Sequence, residues 1–317
     1  MNPRLALVLA GGGARGAYEA GVLRFILREL PRRLGQPIVA DLICGTSVGA
    51  INGSAIAAWN GDPQGPKELS DFWANLSVSE VYKFEALDLL RSPMRMMRGP
   101  ADNQMAWVDA RPLHELMANI FPWQQLYEVI DRGDLMALVI TATEVVTGRC
   151  AQFIDGRIPP GSMEEHEGIR RAFERIGPHH VLASCAIPFL FPPVEINGTA
   201  MVDGSLRQNT PLSPALRMGA KSALVVGTRV PKPIPSLEEL EGADSPSTGF
   251  LLGKALNALL LDPVHHDLRR IDLINEILEA GTTLYGDTFV DKINETIGSR
   301  LSRKLRPINT FCIHPSE

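Results

Sequence analysis

Hydrophobic and polar positions along the chain fall into two alternating kinds of segment. Leu5 to Ala10, the run ending at Gly45, Leu135 to Thr143 and Ser222 to Thr228 are short and almost continuously apolar or β-branched. A strand with one solvated face would alternate, so these runs predict strands buried on both faces of a parallel sheet. Between them the apolar residues recur at helical spacing. Ala17 to Leu30 places Val22, Leu23, Ile26, Leu27 and Leu30 on one face and Arg24 and Arg28 on the other, and Pro31 is expected to end that helix. Ala50 to Trp59 predicts a helix of small residues able to pack closely. Leu113 to Phe121, Pro211 to Met218 with Gly219 as its cap, Phe250 to Leu261 and Val264 to Ala280 complete the helical set. Strands alternating with helices predict an α/β protein built on a mostly parallel sheet.

Punctuation residues divide these elements. Gly61-Asp62-Pro63 breaks the pattern, Thr147-Gly148 makes a turn before Cys150 to Ile154, and Asp155 to Gly168 reads as a loop rich in Gly, Pro and Glu. Asn197-Gly198 between two extended runs is the signature of a tight hairpin, whose second strand ends at Asp203. Pro231 to Thr248 is proline-bearing and acidic, like a linker, and Arg306 to His314 is a candidate last strand. No internal repeat is visible.

Two glycine-rich stretches carry candidate chemistry. In Gly45-Thr46-Ser47-Val48-Gly49 an apolar run stops and a helix resumes, so Ser47 falls on a strand-to-helix turn of the nucleophile-elbow type. A serine there takes a strained backbone conformation that exposes its hydroxyl, and any side chain two residues to either side would collide with neighbouring chain. Gly11-Gly12-Gly13-Ala14-Arg15-Gly16 follows the first strand and opens the first helix. Successive glycines let backbone N–H groups converge at the positive end of that helix, which makes an anion hole. Beside a serine nucleophile, the anion would be the tetrahedral oxyanion of acyl transfer.

Composition narrows the alternatives. The 317 residues, 45% hydrophobic, suffice for a large core, and a net charge of −5 without a basic block gives no footprint for nucleic acid. Cys44, Cys150, Cys185 and Cys312 are scattered, without metal-ligand spacing, so neither disulfides nor a metal site is indicated and a reducing, cytoplasmic setting is expected. Met1 to Ala10 has a signal-like look, but its apolar run is short and leads straight into the glycine loop. No run approaches the 18 or so apolar residues of a membrane span.

Taken together, the glycine loop Gly11 to Gly16, the elbow Gly45 to Gly49, the segment Ala183 to Pro193 and Asp203-Gly204 resemble, in order, the patatin-like phospholipase family over roughly residues 5 to 230. The resemblance implies a three-layer α/β/α fold and a Ser-Asp dyad hydrolysing acyl esters of lipids, with Ser47 as nucleophile and Asp203 as general base. It assigns the oxyanion hole to Gly11, Gly12 and Gly13, with Arg15, Gly45, Gly49 and Gly204 in support, and needs no cofactor or metal. The family more often has glycine or alanine where this chain has Ser205. Residues 1–230 are then expected to form the catalytic domain, 231–248 a linker and 249–317 a helical extension packed on the same domain.

Other readings use the same residues. A Ser-Asp-His triad would recruit His265, His266 or His314. Dinucleotide binding also fits a glycine loop after a strand, but it needs an acid at the end of the second strand, where Ser47 stands. A catalytically silent lipid-binding protein would have no reason to keep both dyad positions. For Leu87 to Arg98, where Leu and Met interleave with Arg91, Arg95 and Arg98, two readings stand: a helix on the core with solvated arginines, or a cap docking on a lipid surface. They separate experimentally. If the cap docks, replacing the three arginines by glutamine weakens binding to anionic vesicles and vesicle hydrolysis, spares a soluble monomeric ester, and removes up to about 1 kcal/mol per arginine in a salt-dependent way. Vesicle binding indifferent to both the substitution and salt assigns the segment to the core.

Overall fold

The computed structural model of the protein describes residues 5–81, 110–119, 121–158, 168–228, 264–297 and 305–316. Among these, nine strands join in one sheet: β1 (Leu5–Leu9), β2 (Leu42–Thr46), β3 (Ala137–Glu144), β4 (Cys150–Gly156), β5 (Ile169–Phe173), β6 (Val194–Ile196), β7 (Thr199–Asp203), β8 (Ser222–Val226) and β9 (Asn309–Ile313). Its order is β5-β4-β3-β2-β1-β8-β9, with β7 pairing both β3 and β6. The helices are α1 (Gly16–Arg24), α2 (Leu30–Leu34), α3 (Val48–Ala58), α4 (Gln64–Asn75), α5 (Val78–Val81), α6 (Arg111–Asn119), α7 (Trp123–Arg132), α8 (Pro178–Ser184), α9 (Ser205–Gln208), α10 (Leu212–Arg217), α11 (Val264–Tyr285) and α12 (Phe289–Ile297).

The continuous apolar runs are explained by burial on both sides of the sheet. Leu7, Leu9, Ile43, Leu138, Ile140 and Phe153 face one core, shared with residues of α1, α3, α6, α7 and α8. Ala6, Val8, Leu42, Cys44, Val139 and Val225 face the other, against Leu212, Ala215 and Leu216 of α10 and Ile271 of α11. Successive strand residues point to opposite faces, so each strand contributes to both cores. The result is the expected three-layer α/β/α arrangement with a mixed, mostly parallel sheet.

Some elements differ from the sequence expectation. Pro31 does not end the first helix. Phe25–Glu29 form a π-turn, in which the Leu30 N–H donates to the Phe25 carbonyl five residues back, and the chain then continues helical through Pro31 to Gly35 at φ 69°. The wider turn re-registers the backbone bonds ahead of a residue that has no N–H to give. β3 is buried along its whole length as expected, yet it is parallel only to β2 and antiparallel to β4 and β7. The Thr147-Gly148 turn is the cause: Gly148 at φ 65° donates to the Glu144 carbonyl, and so tight a connection returns the chain antiparallel. β5 was not anticipated at all. The segment Leu87 to Arg98, the linker-like stretch 231–248 and the helix expected at Phe250 to Leu261 lie outside the described residues, as does most of the Asp155 to Gly168 loop.

The hairpin between β6 and β7 turns on Asn197 at φ 51° and Gly198 at φ 74°, both left-handed, which matches the twist of the strands it joins. A Cβ on Gly198 would meet nothing within 4 Å, so the cost of a side chain there is purely conformational. Gly198→Ala is therefore expected to lower stability by about 1 kcal/mol, with the position of Asp203 undisturbed. Chemical denaturation alongside circular dichroism measures this.

Candidate active site

The register on β3 brings the two sequence-predicted site residues together. β2 runs along one edge of β3 from Ala137 to Thr141, its last pair being Thr46 with Thr141. At the next residue β7 takes over that edge, pairing Asp203 with Ala142 and Met201 with Glu144, while β4 holds the opposite edge. The residue after Thr46 and the last residue of β7 must therefore meet. The Ser47 hydroxyl donates to Asp203 Oδ2 at 2.7 Å, across 156 positions of sequence.

Ser47 has φ 54° and ψ −125°, a conformation that L-residues avoid. Its neighbours explain both flanking glycines. A Cβ on Gly45 would lie 2.2 Å from the Gly49 carbonyl oxygen, and one on Gly49 would lie 2.3 Å from that of Leu9. Gly204 is equally constrained, since its Cβ would come within 2.3 Å of the Thr141 carbonyl oxygen. α3 begins directly after Ser47, whose carbonyl accepts from the Ala50 N–H at 2.8 Å. The Ser47 N–H donates to Ser184 Oγ at 2.8 Å.

Asp203 is 1% exposed and Ser47 5%. Burial pushes the Asp203 carboxyl up to about 6, against the pull of hydrogen bonds from the Ser205 N–H and from the Ser47 and Ser205 hydroxyls. The backbone bond, from Ser205 N–H to Oδ1, measures 2.8 Å. Such a group is a better proton acceptor than an ordinary aspartate while remaining ionised at neutral pH. Burial, and then the Asp203 charge, push the nearby Cys185 thiol well up, so it stays protonated. Among the described side chains no histidine hydrogen-bonds to either residue. His314 is at the far edge beyond β9 and contacts the Pro315 carbonyl, and the side chains of His265 and His266 lie outside the described residues.

The glycine loop lies alongside. A Cβ on Gly11 would sit 2.3 Å from Ser205 Oγ, 2.4 Å from Asn209 Oδ1 and 3.3 Å from Ser47 Cβ, which places this loop against Ser47. Gly12 has no more room, with Thr228 Oγ1 at 2.3 Å from its would-be Cβ. The three glycines are not equivalent, however. The Gly11 N–H donates to the Asn209 carbonyl at 3.0 Å and the Gly11 carbonyl accepts from Thr228 Oγ1 at 2.6 Å, so Gly11 is an anchor already committed to the protein. The N–H groups of Gly12 and Gly13 have no partner among the described residues, and Gly13 is exposed at φ 57°. Arg15 is exposed in the turn that leads into α1.

Sequence reasoning missed the fixing partners. Thr46 Oγ1 lies 2.6 Å from Thr141 Oγ1 and donates to the Gln208 carbonyl at 2.8 Å. Asn52 donates to the Gly16 carbonyl and to Glu19 Oε2, and accepts from Trp73 Nε1, tying α1 to α3 and α4. The available signal was a polar residue inside a small-residue helix, as with Asn52, or on the apolar face of α1, as with Glu19. No helix among the described residues is long and apolar enough to cross a membrane, and none of their His, Cys, Asp and Glu side chains form a group of three fit to hold a metal ion.

The patatin-like phospholipase family model matches residues 7–216. The chain belongs to that family. It is 25% identical over 233 residues to lysophospholipase NTE1 of Meyerozyma guilliermondii, covering 71% of this chain and 12% of that protein. It is 26% identical over 258 residues to human patatin-like phospholipase domain-containing protein 6, covering 80% of this chain and 15% of that one. The chain thus spans only about an eighth to a seventh of these relatives. A shorter match, 50% identical over 54 residues, is to the cGAMP-activated phospholipase of Pseudomonas aeruginosa, covering 16% of this chain and 15% of that one. Among solved structures, VipD from Legionella pneumophila aligns with 99% of this chain and 61% of its own at TM-score 0.42 and 14% identity.

The Asp203 environment has a thermodynamic consequence. Its folded-state value near 6 lies above the usual 3.8, so its contribution to stability is fully present below about 3.8 and is lost as pH rises through 6. At pH 7.5 the protein carries a buried charge that costs on the order of 3 kcal/mol relative to water. Asp203→Asn is expected to raise the melting temperature at pH 7.5, with the gain shrinking as pH falls from 7 to 5. A gain independent of pH would separate it from the carboxylate.

Proposed function

We propose that the protein is a lipid acyl hydrolase in which Ser47 and Asp203 form a two-residue catalytic machine. The observation carrying this reading is the 2.7 Å hydrogen bond from a strained, buried serine hydroxyl to a buried carboxylate. Ser47 Oγ attacks the ester carbonyl carbon as its proton passes to Asp203 Oδ2, which lies in direct contact. The carbonyl oxygen becomes an oxyanion facing the Gly12 and Gly13 N–H groups in the turn that leads into α1. Collapse expels the alcohol, which takes the proton from Asp203 and leaves an acyl-serine. Water, deprotonated by the same carboxylate, attacks the acyl carbon; the second tetrahedral intermediate collapses with cleavage of the acyl–Oγ bond, Asp203 returns the proton to Ser47 Oγ, and the fatty acid leaves. Removing one such backbone donor typically raises the barrier by about 3 kcal/mol.

Phospholipid or lysophospholipid is the favoured substrate class, in keeping with the names of the relatives. The triad reading has less support, because the base position beside Ser47 is filled by Asp203 itself. A silent lipid-binding role would leave a strained nucleophile and a desolvated acid without purpose.

Ser47→Ala is expected to abolish hydrolysis of a short p-nitrophenyl ester while leaving the fold intact. Asp203→Asn should lower acylation by at least about a hundredfold, with phosphonate labelling of Ser47 slowed in parallel. In the wild type kcat/KM should fall below about pH 6, as Asp203 becomes protonated. Turnover retained by Ser47→Ala overturns the assignment, and product analysis on a mixed lipid extract identifies the ester class.

A further inference from the structure

We infer that Ser184 is a positioning residue for the reaction, a single hydroxyl that sets the nucleophile against the base; this rests on the Ser47–Asp203 reading. Ser184 closes α8 and is completely buried. Its Oγ accepts the Ser47 N–H at 2.8 Å and donates its only proton to the Thr141 carbonyl at 2.7 Å. The assignment of donors is forced: an N–H can only give, a carbonyl can only accept, and a hydroxyl does one of each. The Ser184 main chain reaches the other partner. Its carbonyl accepts from the Gly204 N–H at 3.3 Å, and two residues on the Ala186 carbonyl accepts from the Asp203 N–H at 2.8 Å.

One short segment thus holds the backbone of both dyad residues, and it holds Ser47 by the N–H of the residue whose φ is 54°. A backbone in that region persists only where surroundings over-determine it. Gly45 and Gly49 supply the room, and the Ser184 hydroxyl supplies the bond that fixes the orientation. The site needs a group that accepts on one side and donates on the other within one buried side-chain volume. Of the small side chains only serine and threonine do this well; a thiol is a weak acceptor and alanine offers nothing.

Ser184→Ala, Ser184→Thr and Ser184→Cys are compared with wild type on a soluble monomeric ester, with melting temperatures recorded and assays run well below the lowest. Ser184→Ala should reduce kcat about 10- to 100-fold with KM within twofold, the signature of a nucleophile present but displaced. Phosphonate labelling of Ser47 should slow by the same factor, and Ser184→Thr should recover most of the loss. If the alanine variant does not fold, the other pair decides: an active threonine with an impaired cysteine variant supports the role, and equal rates overturn it. Wild-type kcat and labelling in folded Ser184→Ala also overturn it. Ser47→Ala in the same assay keeps the two levels apart, since turnover there refutes the dyad itself, whereas an inactive Ser47→Ala beside a fully active Ser184→Ala refutes only the positioning role.

Discussion

One edge of β3 is the constraint on which the rest depends. β2 uses it up to Thr141 and β7 uses it from Ala142 onward, so a parallel neighbour gives way to an antiparallel one between adjacent residues. The strand-to-helix elbow must leave the sheet at that point because β7 occupies the place where β2 would continue. Ser47 and Asp203 meet as a consequence of sheet register, which hydrogen-bonded strands hold far more firmly than a pair of loops could. The turn into α9 extends the arrangement. Within seven residues, Asp203 accepts from the Ser47 hydroxyl, the Gln208 carbonyl from Thr46 and the Asn209 carbonyl from the Gly11 N–H. Asp203, the strand that ends at Ser47 and the glycine loop are fastened to one strap.

The helices on the Ser47 side are fastened as well. Glu19 is buried beneath the glycine loop with its carboxyl pushed up to about 8 by burial, so at neutral pH it is a neutral acid accepting from Asn52. Asn52 lies on α3 just over a turn beyond Ser47 and also accepts the Trp73 indole N–H. Close approach makes this possible: a Cβ on Gly16 would be 2.1 Å from a Val48 methyl and 2.5 Å from the Trp73 ring. Polar groups this deep cost free energy unless paired, and the pairing makes the relation of α1 to α3 directional where apolar contact alone would allow sliding.

Legibility in the sequence followed locality. β1, the elbow, the Asn197-Gly198 hairpin, β8 and β9 were readable because each is written in consecutive residues as an apolar run or a turn pair. β5 was not, because Ile169-Arg170-Arg171-Ala172-Phe173 shows no apolar run; its place comes from pairing with β4 and from the ion pair of Arg170 with the buried Glu144. The antiparallel course of β4 was implicit in its turn. Ser47 and Asp203 were each singled out by a motif, but their contact was not legible, since 156 positions separate them. Nor could the glycine loop alone tell that the Gly11 N–H is spent on Asn209, 198 positions on. The partners that fix a site are the least visible, because a hydroxyl such as that of Ser184 acts at a distance of 137 residues and leaves no local signature.

A Ser-Asp pair acting as we propose must obtain by environment what a histidine would supply by its own chemistry. A solvated aspartate is too weak a base toward a hydroxyl, and one stripped of every hydrogen bond would be protonated at neutral pH and accept nothing. Asp203 stands between these limits. Burial raises its pKa, and the Ser205 N–H, the Ser47 hydroxyl and the Ser205 hydroxyl lower it again, leaving it near 6. The number of donors around the carboxylate is therefore as much a part of the chemistry as the carboxylate. In this chain one of those donors is the side chain of Ser205. It makes the acid slightly weaker as a base but keeps it ionised over a wider range of pH.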